Sequence, residues 1–183
     1  MKHPLVLSGL ATIPLLGIGL LTTPPMVMAA GNADSAEISK LLADTKAEAV
    51  ELTRDASDLE AFTKSKLSWS TYAGKVDMIR EHINNTGKLL TKLQDAQDSG
   101  SPWQRTAISR IEPLLKELAA NTEATIAFMT ENKTAIHFPE FRDYARASYE
   151  LASDMEALVR DFVTYGEARE KIDRLSRKLE TTN

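Results

Sequence analysis

From Asp34 to Glu180 the apolar side chains recur every three or four residues, with few breakers between them. That spacing is the signature of an α-helix buried along one side, and no run of alternating β-branched residues reads as a strand. The cleanest stretch is Trp69, Tyr72, Val76, Ile79, Ile83, Thr86, Leu90 and Leu93, a strict 3,4 pattern of the kind that forms the seam of a helical bundle. Gly74 and Gly87 fall outside that seam, so they weaken the helix without interrupting it.

Local signals divide the pattern into four helices, over about 34–63, 68–98, 102–133 and 139–180. Asp34 followed by Glu37 fits a capping box at the first start. Lys64–Leu67 is the first expected turn; a helix continuing through it would carry an uncovered stripe about 95 Å long at 1.5 Å per residue. Ser99-Gly100 closes the second helix. Ser101-Pro102-Trp103-Gln104 opens the third with an N-cap, a proline at N1 and a glutamine at N3. Pro113 lies within the third helix and is expected to kink it. The expected seam of the fourth helix runs through Phe141, Ala145, Ser148, Leu151, Met155, Leu158, Phe162 and Tyr165, then Ile172, Leu175 and Leu179. Short turns make sequential helices antiparallel neighbours. The expected fold is therefore an all-α, up-down-up-down four-helix bundle. Its last helix is either long or broken near Gly166, with the remainder folding back as a fifth helix.

Before the bundle, Met1-Lys2-His3-Pro4 supplies a positive start, Leu5–Leu21 an uncharged apolar run, and Val27-Met28-Ala29-Ala30 a small-residue exit. Those three parts make residues 1–29 a signal peptide, cleaved before Ala30 or, alternatively, before Gly31. Pro14 and the glycines of the apolar run argue against a retained spanning helix. The expected product is a single domain, residues 30–183, in the periplasm or outside the cell. Membrane contact would come only through the leader, if it stays uncleaved.

Composition then removes whole classes of chemistry. The chain has no cysteine, so disulfides, thiolate metal sites and thiol nucleophiles are excluded. Its formal charge of −4 gives no basic surplus for nucleic acid. Of its three histidines only His82 and His137 lie beyond the leader, and neither has a glutamate three residues before it, so the ligand pairs of a bundle di-iron site are missing. No Gly-rich phosphate loop, nucleophile elbow or His-Glu-x-x-His motif occurs.

Three functional readings remain. The first is an exported, non-enzymatic protein without a cofactor. It would act by association with a protein partner or with itself through the C-terminal helix, where Ile172, Leu175 and Leu179 extend a seam beyond the reach of the shorter first helix. The second is a small-ligand sensor or carrier using the core, where Thr45, Ala49, Ala56, Thr122, Thr125, Ala145, Ser148 and Ala152 are small or polar; the plainer account is interdigitation with aromatic neighbours. The third is a haem b or metal carrier. His82 and Met155 fall at similar levels on diagonal helices, and His/Met ligation is the arrangement of cytochromes b562, which this chain resembles only in its bundle pattern. Met78 and His82, at i and i+4, share one helix face and are a minimal metal pair. The plainer account of His82 is a partly exposed surface histidine, and of His137 a solvated loop one. The aromatics near the helix starts, Trp69, Tyr72, Trp103, Phe138, Phe141 and Tyr144, read as packing under the bundle ends or as a recognition patch.

Overall fold

The computed structural model describes residues 33–133 and 139–181. The expected leader with its cleavage positions, His137 and Phe138 lie outside them. Four helices follow in order: α1 (Ala36–Phe62), α2 (Trp69–Ala96), α3 (Pro102–Glu131) and α4 (Pro139–Glu180), with a short 3-10 turn, Gln97–Ser99, after α2. Helix α1 packs on α2 and α4, and α3 packs on the same two helices. The pairs α1/α3 and α2/α4 are thus the diagonals of a square, and the fold is an all-α four-helix bundle.

The core is one continuous cluster from all four helices. In α1 it takes Ile38, Leu42, Thr45, Ala49, Leu52, Ala56 and Leu59, and in α2 the run from Tyr72 to Leu93. Burying each large side chain stabilises the fold by about 1.5–3 kcal/mol, which is how a chain with no cysteine holds together. The two ends are closed differently. At the end where α1 stops, Tyr72 meets Phe141 edge-on at 5.3 Å, and Phe128 stacks on Phe141. The Tyr72 hydroxyl reaches the Ser65 carbonyl at 2.6 Å and ties down the first turn. Trp69, expected in the seam, is exposed at its edge and donates its Nε1–H to the Met129 carbonyl.

The start of α1 differs from expectation. Ser35, not Asp34, caps α1, accepting the Ile38 N–H, because the Asp34 carboxylate is drawn to partners on α3 and α4. Of the two forms expected for α4 the long one is found: it runs unbroken for 42 residues, straight through Gly166, with no fifth helix among the described residues. Gly166 serves packing: a Cβ there would sit 2.8 Å from the Trp103 ring.

The seam of α4 also lies on different residues from those expected in its second half. The buried positions are Phe141, Ala145, Ser148, Ala152, Met155, Val159 and Val163. Leu151, Leu158 and Phe162 are only partly buried, and Tyr165 is exposed. Larger side chains drew the sequence reading to the wrong edge. The smaller Ala152, Val159 and Val163 face inward, toward the two helices on which α4 packs, α1 and α3.

Candidate functional site

Three features stand out among the described residues. The first lies between α1 and α2. Asp55 interrupts the apolar stripe of α1 and is buried, with 1% of its side chain exposed. A buried carboxylate must be paired, and α2 supplies the partners. Lys75 Nζ lies 3.2 Å from Asp55 Oδ1 and 3.0 Å from Asp58 Oδ2, with its charge 5.8 Å over the Phe62 ring. His82 Nδ1 is 2.8 Å from Glu48 Oε2, and its Nε2 is 3.3 Å from Asp55 Oδ2, too poorly aimed for a hydrogen bond. Burial pushes the Lys75 ammonium down, but its hydrogen bonds to Asp58 and Asp55 outweigh that and hold it above the ordinary lysine value.

The sequence reading missed this cluster, although a signal was present. Glu48 and Asp55 are seven apart on α1, and Lys75 and His82 are seven apart on α2; both pairs are equally distant from Ser65. Folding the chain back at Ser65 therefore lays acid against base. Chemically the cluster is a charge clamp between two helices. A divalent ion at Asp55 would have to share that carboxylate with the Lys75 ammonium.

The second feature closes the end of the bundle where α1 and α3 begin. Gln104, fully buried, accepts the N–H groups of both Ser35 and Ser101 on Oε1, and donates Nε2–H bonds to the Ser35 carbonyl and Ser39 Oγ. One amide thus satisfies free backbone groups at two helix starts. Beside it, Asp34 accepts the Trp103 indole N–H at 2.8 Å and the Arg169 Nε–H at 3.2 Å. Burial pushes the Asp34 carboxyl up; the bonds from Ser101 and Trp103 and the Arg169 charge overcome this and hold it below the ordinary aspartate value. Trp103 also packs edge-on against Tyr165 at 5.4 Å.

The third feature is the end of α4. From Gly166 to Glu180 it is about 21 Å of helix, level at Arg169 with Asp34 just before α1. Every residue from Glu167 to Glu180 is exposed, including Ile172 at 62%, Leu175 at 53% and Leu179 at 70%. These three do not continue the core seam. At about 100° per residue they lie roughly 120–180° around the helix from Val163. Positions that would continue the seam are Glu167, Glu170, Asp173 and Arg177, and they line an open groove of about 610 Å³ against Asp34, just before α1, and Ser39 and Lys40 of α1. The projecting end is therefore charged toward the bundle axis and apolar on its outer side.

The other sequence candidates fall as follows. Met155 is wholly buried in α4, on the helix diagonal to α2, while both ring nitrogens of His82 face carboxylates of α1. The two are not turned toward each other. Met78 is exposed on α2, on the outer side of the clamp. Thr45, Thr122 and Thr125 bond back to the carbonyls of Leu41, Leu118 and Asn121, and Ser148 accepts from the Asn121 amide, so those core hydroxyls are occupied. Thr86 Oγ1, buried in α2, has no such bond. Among the described residues, no group of three or more His, Asp or Glu is arranged to hold a metal ion, and no helix is long and apolar enough to cross a membrane. Compared with protein-family models, curated proteins and solved structures, the chain matches none.

Proposed function

We propose that this is an exported, non-enzymatic protein that works by association, with the bundle as a rigid mount and the projecting end of α4 as its contact element. One observation carries the reading: Ile172, Leu175 and Leu179 are exposed together, on the side of α4 turned away from the core. A stripe in that position gains nothing for the bundle's own stability. It is the kind of exposed apolar face that marks an interaction site. The polar features fit a supporting role, since the clamp and the Gln104 hub both join helix to helix.

Site-specific photo-crosslinking tests it. A photoreactive residue at Leu175, in cells making the full chain, is expected to give a discrete protein adduct. The same residue at Glu170, on the opposite face, should give little. Equal yields from the two faces, or no adduct from 172, 175 or 179, would refute the reading. Export is tested separately: the N-terminus of the mature protein should be Ala30 or Gly31.

A further inference from the structure

We infer that the occupant of the outer face of α4 is a single helix of another protein, with acidic side chains flanking its own apolar seam. This deepens the association reading and rests on it. Tyr165, Ala168, Ile172, Leu175 and Leu179 are spaced 3,4,3,4, and at about 100° per residue they span an arc of about 80°. That is the narrow stripe of a two-helix seam, not the broader face of a helix lying on a core or a lipid surface.

The flanks of the stripe name the partner's charge. In the heptad set by Ile172 and Leu175, the positions beside the seam are Lys171 and Lys178 on one side and Arg169 and Ser176 on the other. No carboxylate stands in these flanking positions. Glu167, Glu170 and Asp173 are turned into the groove against α1. A second copy of the chain answers these flanks poorly. Pairing two copies antiparallel sets Lys171 against Lys178, and pairing them parallel sets Lys171 against Ser176. An anionic membrane is disfavoured by the narrow stripe and by the chain's net charge of −4. A helix with glutamates or aspartates at its flanking positions meets both lysines with opposite charge.

The test uses the full exported chain and two synthetic heptad peptides with the same Ile/Leu seam, one carrying Glu and the other Lys at every flanking position. Titration calorimetry is expected to show the Glu peptide binding about tenfold tighter, a difference of about 1.4 kcal/mol. Added salt should shrink that preference. The double variant Lys171→Glu, Lys178→Glu should reverse it. Leu175→Asp should abolish binding of the Glu peptide while the circular dichroism spectrum stays unchanged. Equal binding of the two peptides, tighter binding of the Lys peptide, or binding of neither overturns the inference. So does a dimer in sedimentation that Leu175→Asp dissociates, or Leu175-dependent pelleting with anionic vesicles. If the peptides fail while the Leu175 crosslink forms, the charge rule falls and the association reading stands; if both fail, both fall.

Discussion

Asp55 sets the terms at the residue scale, because its buried carboxylate accepts a hydrogen bond from Lys75, with Arg54 and His82 also within 4.0 Å. Lys75→Met removes the cation bonded to this buried carboxylate and leaves it only the more distant His82 and Arg54, so urea unfolding should show a loss of about 3 kcal/mol. The double change Asp55→Leu, Lys75→Met should recover most of it. Asp58 is half exposed and adds little. The pH dependence follows from the directions of the shifts. Asp34 sits below its ordinary value of 3.8, so its contribution is complete above that pH and is lost as pH falls through the lower folded value. Lys75 sits above 10.5, so its contribution is complete below that pH and is lost as pH rises through the higher folded value. In thermal melts, Asp34→Asn should therefore blunt the destabilisation seen below pH 3.8 and leave the alkaline limb unchanged. The glycines separate just as clearly. A Cβ at Gly74 meets nothing within 4 Å, so Gly74→Ala should stabilise by about 1 kcal/mol. At Gly166 it meets the Trp103 ring, and Gly166→Ala should destabilise by about 1–3 kcal/mol.

Among the elements, α4 is two objects in one helix. Its first part is held by the core, and the Asp34–Arg169 contact joins its last part to the bundle. Ending the chain after Lys171 keeps that contact, and the melting temperature should move by no more than about 2 °C, since surface residues outside such features contribute little. Gln104→Ala is the opposite case. It leaves backbone groups at two helix starts without partners, and a loss of about 2–3 kcal/mol is expected in the same assay. The seams of α1 and α2 were legible in the sequence because most of their large apolar residues, Trp69 excepted, are also their inward ones. The seam of α4 was half legible, because there the small residues point in and the large ones sit at the edge. The clamp was hidden because an aspartate at position 55 reads as a surface residue until the chain is folded back at Ser65. Gln104 was legible as a local cap, but its bonds to Ser35 and Ser39 join residues 69 and 65 apart, which no local pattern reports.

For the whole molecule, the bundle ends where the inner face of α4 becomes charged, at Glu167, and the apolar code passes to the outer face. On the proposed association, stability and contact are written on different residues of one helix. Selection can then act on one without disturbing the other. A saturation scan reading both abundance and partner capture should show this division. Substitutions at Met155, Val159 and Val163 should lower both together, whereas substitutions at Ile172, Leu175 and Leu179 should lower capture and leave abundance alone. Under that proposal, such a bundle could change partners by drift along a dozen residues, with its core left as it is.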